Sequence, residues 1–589
     1  MKLPSVTGGG GGLVPLARRL RGRLTGIGRL GGRARRGLVP VARRLEGPAR
    51  SAGRLARRLG GPGLRYGVAA ALLVAVAGDA ATLANPRPPL YSGEPLVVRS
   101  PTPDEIVLAW GPTQEDLARG IFTARRMTVE EAAGQVIVAL FRGQDPAAVE
   151  ALVRAYHLGG VVFGGGNVGS PALTQEMTAA AQRGGDGRDW PVIVATDQEG
   201  GPVARLKDVI PTLPAFLASG AARDKSVVRS AYTGEGADML ALGFNMDFAP
   251  VADLTVGLSD PIIRIRSAGD EPGDVSATVV AASFGLLGAG VIPVVKHFPG
   301  HGGVTVDSHL DLPVQAASTE ILESYDLVPF RAAVEAGVPA VMMSHVAVAA
   351  WGGAPASLDP AAYAYLREEL GFRGVVVTDS LSMAAVASRG EGGPAVAALN
   401  GGADIVLMPA NTAAAHAQIV AAVASGLLSR ARLDEAAARA ITLMRWQASL
   451  RHGDAEGDYA RALATAGIAV TSPLCGGPLV GAGVTISGGW PEERAALAGE
   501  LAARGVGSGG GTTIRLLGSP GGSGAADVVV AMDGPWGLPQ SSATTYVGLF
   551  GRSATSFAAL ADVLTGAVAP TGRWPVALPG LTGTECGAG

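Results

Sequence analysis

Cysteine is almost absent: the 589-residue chain has Cys475 and Cys586 and no others. Two thiols make no disulfide framework, and the expectation is a fold held by its core rather than by staples. Charge is sparse as well, at 17% Asp, Glu, Lys and Arg against 48% apolar residues, which excludes a disordered chain and leaves ample material for two domains with sizeable cores. A dinucleotide loop is missing, because Gly164-Gly165-Gly166 has neither G-x-G-x-x-G spacing nor a suitable acid after it. The first 66 residues lack acids, setting Glu46 alone against Lys2 and fifteen arginines, so about +15 sits there and about −17 in the remainder. An acidic body argues against nucleic acid as the partner of the folded part, whereas the basic arm suits an anionic surface.

That arm, 1–65, repeats itself: G-L-V-P-L-A-R-R-L at 12–20 returns as G-L-V-P-V-A-R-R-L at 37–45. It reads as low-complexity sequence rather than a folded domain. Residues 66–84 are apolar except for Asp79, and their uncharged part is about a dozen residues, which fits a signal-peptide core or a short anchor. Arginines ahead of it would keep the arm in the cytoplasm and send the rest outward, giving an extracytoplasmic protein, membrane-anchored or secreted. No cysteine follows the segment, so a lipid-modified anchor is excluded. Residues 85–114, rich in proline, read as a linker.

From 115 the pattern becomes short Val- and Ile-rich runs separated by helix-forming sequence, at 136–141, 160–164, 192–196, 244–249, 291–295, 339–343, 374–378 and 404–408. Eight such runs predict buried parallel strands closed into a (β/α)8 barrel over 115–454, with a doubly wound open sheet as the rival. Polar residues stand immediately after the runs: Asp197 after the third, Lys296 and His297 after the fifth, Ser344 and His345 after the sixth, Asp379 after the seventh. In a barrel those positions line the catalytic mouth. Beyond 455, runs near 484–487, 513–517 and 528–532 predict a second, smaller and shortened α/β domain over 455–589, to which no catalysis is assigned.

The densest chemistry lies at 294–313, V-V-K-H-F-P-G-H-G-G-V-T-V-D-S-H-L-D-L-P. Its glycines and Pro299 keep His297 and His301 off a common helical face, which removes an H-x-x-x-H zinc site, and no metal or cofactor is expected. Asp307-Ser308-His309 offers an alternative: a carboxylate beside an imidazole fixes its tautomer and leaves one nitrogen to exchange protons.

K-H-F-P-G-H-G followed by D-S-H resembles the signature of glycoside hydrolase family 3, in its NagZ-like β-N-acetylhexosaminidase branch, over roughly 115–450 and more faintly to the C-terminus. The resemblance implies that Asp379, in G-F-R-G-V-V-V-T-D-S-L-S-M, is the nucleophile, that His309 is the acid/base, and that Asp307 is its dyad partner. A-T-D-Q-E-G-G-P-V-A-R at 195–205 matches the family's D-x-E-G-G-x-V-x-R, so that Asp197 and Arg205, with Arg266, Lys296 and His297, would bind sugar hydroxyls. Pro202 and Ala268 depart from the family's usual arginine and aromatic residue. His345, in M-M-S-H-V, is expected to support the site rather than to react. The implied activity is retaining exo-β-N-acetylglucosaminidase action by a monomer on β-GlcNAc-terminated cell-wall or chitin-derived saccharides. The alternatives are a β-glucosidase or phosphorylase of the same family, or a glycan-binding protein without activity.

Overall fold

The structure, a computed structural model, describes residues 106–304, 311–454 and 457–587. The basic arm, the apolar segment 66–84 and the dyad Asp307 and His309 lie outside the described residues. Among the described residues no helix is long and apolar enough to cross a membrane.

Each of the eight expected runs contains a strand: β1 (Ile137–Leu140), β2 (Gly160–Val162), β3 (Ile193–Thr196), β4 (Met246–Asp247), β5 (Ile292–Phe298), β6 (Ala340–Met343), β7 (Val375–Thr378) and β8 (Val406–Leu407). All pair in parallel and in sequence order, and β1 pairs with β8. A bridge between Val377 and Ile405, with Thr378 N–H donating to Ile405 O at 3.0 Å, joins β7 to β8 and closes the barrel. The strands are mainly apolar because both faces are covered, one by the helical ring and one by the barrel's own interior, and their polar residues fall at or near the carboxyl ends. Inside, Val138, Val162, Ile193, Met246, Ile292, Val294, Met342, Val375 and Leu407 form one cluster, which Trp110, 2% exposed, joins with Leu443 and Met444. Residues just before 114 thus pack into the barrel core instead of running free as a linker.

Helix starts follow local capping chemistry. Asp145 and Ser170 accept backbone N–H groups with proline at the next position, and Asp224 caps Lys225–Ala241. Two glycines are fixed by close approach: a Cβ on Gly220 would stand 1.6 Å from Ala268 O, and one on Gly302 1.6 Å from Leu254 O.

The second domain is a seven-stranded sheet with β9 (Ala469–Ser472), β10 (Gly483–Gly488), β11 (Gly507–Ser508), β12 (Thr512–Leu517), β13 (Val528–Ala531), β14 (Thr545–Gly548) and β15 (Thr584–Glu585). Strands β10 to β14 are parallel, and β9 runs antiparallel to β14 and β15. One expectation fails here. The two cysteines form a disulfide, because β9 and β15 are neighbours and bring residues separated by 111 positions to a Cα–Cα distance of 5.1 Å. Leu217, Ala218 and Ala221 of the barrel domain share an apolar cluster with Ala469, Phe550 and Val576, and Ala215 N–H donates to Phe550 O, so the two domains pack directly.

Candidate active site

Ionisable residues stand at the carboxyl ends of three strands, Asp197 just after β3, Lys296 and His297 in the last three residues of β5, and Asp379 just after β7, and parallel closure delivers them to one end of the barrel. There Asp197, Glu199, Arg205, Arg266, Lys296, His297, His301 and Asp379 line one cavity of about 540 Å³. Of the residues expected to bind substrate or react, all those among the described residues line this cavity.

Lys296, 2% exposed, bonds Asp197 Oδ1 at 2.8 Å and Glu199 Oε1 at 2.6 Å. Arg266 holds Glu199 from the other side with Nε to Oε2 and Nη2 to Oε1, both at 2.8 Å. Burial pushes the Glu199 carboxyl up, but Arg266 and Lys296 outweigh it and hold the group well below the usual carboxylate range. Burial likewise works against the Lys296 ammonium, yet Asp197 and Glu199 raise its pKa on balance. Glu199 was not singled out from sequence, although its place two residues after Asp197 in an extended segment sets both carboxylates toward one face.

A second buried carboxylate orders the histidines. Asp253 Oδ2 lies 2.6 Å from His297 Nδ1, and its Oδ1 accepts the His301 backbone N–H at 2.7 Å. Burial opposes the Asp253 charge, but His297 and His301 lower its pKa overall. The His301 ring is 3% exposed, and burial pushes its imidazolium down to about 4, so the ring is neutral at ordinary pH. Asp253 carried no sequence signal, since A-D-L-T-V precedes no helix and continues no strand pattern.

Asp379 is half-buried, and its backbone N–H extends the β6–β7 ladder by donating to Met343 O. Burial raises its pKa, but His345, His297, the Ser380 amide and Lys296 together bring it below the ordinary value. Ser380 N–H donates to Asp379 Oδ1 at 2.7 Å. His345 is buried behind this turn: Nε2 lies 2.8 Å from Ser380 O, which can only accept, so Nε2 carries the proton and Nδ1 takes the Ser357 hydroxyl at 2.7 Å. The supporting place expected for His345 is the one it occupies.

Among the described carboxylates of the cleft, Glu199 is clamped by two cations, Asp197 by one, and Asp253 by the histidine pair. Asp379 has, among the described residues, no cationic side chain within ion-pair distance, so its charge is available to an electrophile on the cavity side. Among the described residues no group of three or more His, Cys, Asp or Glu is arranged to hold a metal ion.

The family description "Glycosyl hydrolase family 3 N terminal domain" matches residues 128–443. The beta-hexosaminidase LpqI of Mycobacterium tuberculosis is 38% identical over 273 residues, 45% of this chain and 69% of its own. A beta-hexosaminidase of Xylella fastidiosa is 39% identical over 259 residues, 42% of this chain and 75% of its own. The solved structure of a glycoside hydrolase family 3 β-N-acetylglucosaminidase from Paenibacillus superposes with a TM-score of 0.66 at 28% identity, covering 77% of this chain and all of that one. A beta-glucoside phosphorylase, BglX, shares the fold at 17% identity with a TM-score of 0.66 over 80% of this chain and 97% of that one.

Proposed function

This chain belongs to glycosyl hydrolase family 3 and is a glycoside hydrolase, and we propose that it is a retaining exo-β-N-acetylglucosaminidase that works outside the cytoplasmic membrane as a monomer, tethered or secreted. The observation that carries the reading is the carboxylate of Asp379, unpaired among the described residues, in a cleft whose other described acids are clamped. An ionised acid facing the cavity is suited to attack an anomeric carbon, while clamped acids and their cations are suited to hold neutral hydroxyls in fixed directions. The β-hexosaminidase names of the relatives support the sugar. The arginine arm ahead of 66–84 supports the location.

In this scheme Asp379 Oδ attacks the anomeric carbon as the glycosidic C–O bond breaks, and His309 gives its proton to the departing oxygen. A glycosyl ester of Asp379 results. Water then attacks the same carbon and gives a proton to His309, freeing the sugar and the carboxylate. Glu199 and Asp253, held below the usual carboxylate range by their partners, have no proton to offer, which supports an imidazole donor, with Asp307 fixing its tautomer. Negative charge on Asp379 stabilises the cation-like transition state as it attacks.

Nitrophenol release from aryl β-N-acetylglucosaminides and β-glucosides, with and without phosphate, tests the reading. Hydrolysis of the N-acetyl substrate, unchanged by phosphate, is expected. Preference for the glucoside or acceleration by phosphate would overturn it.

A further inference from the structure

Residues 255–270 belong to the connection from β4 to the helix Pro272–Gly288, and they carry Ile262, Ile263 and Arg266 into the wall of the cleft. Their inner turn is ordered by Asp260, 0% exposed, whose Oδ1 accepts the N–H groups of Ile262 and Ile263, both at 2.8 Å, and whose Oδ2 accepts that of Arg264 at 2.7 Å. Arg266 N–H then donates to Ile263 O at 2.7 Å, and the Arg266 guanidinium takes Glu199. Hydrogen bonds within one segment fix its shape but not its place, which depends on what grips its ends.

The second domain grips both. At the first end Trp536, which follows β13, lies against Gly257: a Cβ there would stand 3.0 Å from the indole Nε1 and 3.3 Å from Cδ1, and Gly257 has φ of +73°. Leu258 beside it meets Gly521, where a Cβ would lie 3.1 Å from Leu258 Cδ1. Gly257 O accepts the N–H of Asp260 at 3.2 Å, so the residue under the indole leads directly to the carboxylate that orders the turn. At the second end Asp270 N–H donates to Pro575 O at 3.2 Å, and Asp270 Oδ2 accepts Ala577 N–H at 2.9 Å. Between the ends, Ile265 and Trp536 pack against one apolar cluster, which includes Ala218 of the barrel domain and Phe550 of the second.

We propose that the second domain braces this connection and that Trp536 is a positioning residue, which sets Arg266, and through it Glu199, for the sugar. The inference rests on the cleft being the sugar site. Arg266 and Glu199 would hold neutral hydroxyls in the ground state and the transition state alike, so displacing them costs binding more than chemistry.

In the full chain Trp536→Ala should raise KM for aryl β-N-acetylglucosaminides about three- to thirtyfold with kcat within about twofold, and Trp536→Phe, which restores a ring beside Gly257, should recover most of the loss. In an Arg266→Lys background Trp536→Ala should add little, because both changes act on one element. Amide exchange, which needs no substrate, should be about tenfold faster or more at Ile262, Ile263, Arg264 and Arg266 in Trp536→Ala and near wild type in Trp536→Phe. If Trp536→Ala folds poorly, Leu258→Ala, at a side chain that is 51% exposed, should give the same readouts at smaller size. An unchanged KM, an equal loss in kcat, a full additional factor in the Arg266→Lys background, or exchange at those four amides no faster than in the wild type overturns the proposal. Should the wild type fail to turn over aryl glycosides, the proposed function falls, while the exchange result still decides the brace.

Discussion

The two ends of the barrel each bury an aspartate, on adjacent strands, with opposite outcomes. Asp404, just before β8, is 0% exposed and takes Arg367 Nη2 at 2.7 Å, Arg432 Nη2 at 3.0 Å, Arg439 Nη1 at 3.2 Å and the Val376 N–H. Asp379, just after β7, takes one backbone N–H and, among the described residues, no cation. Both have lowered pKa values despite burial, so ionisation alone does not separate a structural acid from a reactive one. What separates them is whether the charge is already spent. The second domain repeats the lesson at the carboxyl ends of its own parallel strands. Arg552 there binds Asp533 through two nitrogens at 3.0 and 2.7 Å and Glu493 at 2.5 Å, so the charges of these two acids are spent.

The sharpest way to break this comparison is Asp379→Asn. Removing the one unspent charge should lower kcat by about 10,000-fold or more, with little change in melting temperature. A slow fluorosugar should label Asp379 in the wild type, and a labelled peptide from elsewhere would end the assignment. His309→Ala should follow, at about 100- to 10,000-fold on poor leaving groups and much less on acidic phenols, because only the former need the proton. Measuring kcat/KM over a phenol series decides this, since an equal loss at every phenol pKa means that His309 is not the acid.

Asp404→Ala reverses the pattern. It should cost about 3 to 5 kcal/mol of stability by stranding three arginines, while kcat per folded molecule stays near wild type. Because the folded pKa of Asp404 is depressed, its contribution is present above the ordinary aspartate value and is lost as pH falls through the folded one. The destabilisation by Asp404→Ala, read from denaturant melts, should therefore shrink on strong acidification. A constant gap across pH would contradict the pairing. The smallest effect belongs to Arg552→Met, at about 1 kcal/mol of stability for a half-exposed network and no change in kcat/KM, unless the second domain contributes to turnover.

Much of this architecture is legible in the chain itself. Strands buried on both faces are mainly apolar, so most of β1 to β8 announce themselves as Val- and Ile-rich runs, and the residue after such a run lies at the mouth. Asp197, Lys296, His297 and Asp379 could be placed by that reasoning alone, and β10, β12 and β13 of the second domain in the same way. Short β9 and β15 could not, and with them went the Cys475–Cys586 pair. Nor did the sequence disclose which charges are spent. Arg266 meets Glu199 from 67 positions away, His297 meets Asp253 from 44, and Lys296 meets Asp197 from 99. The chain determines where ionisable groups stand along each strand, because burial and pleat act locally. Only closure of the barrel decides which of them come within ion-pair reach, and so which carboxylate is left to react, because Coulomb energy depends on distance in space and on exclusion of water.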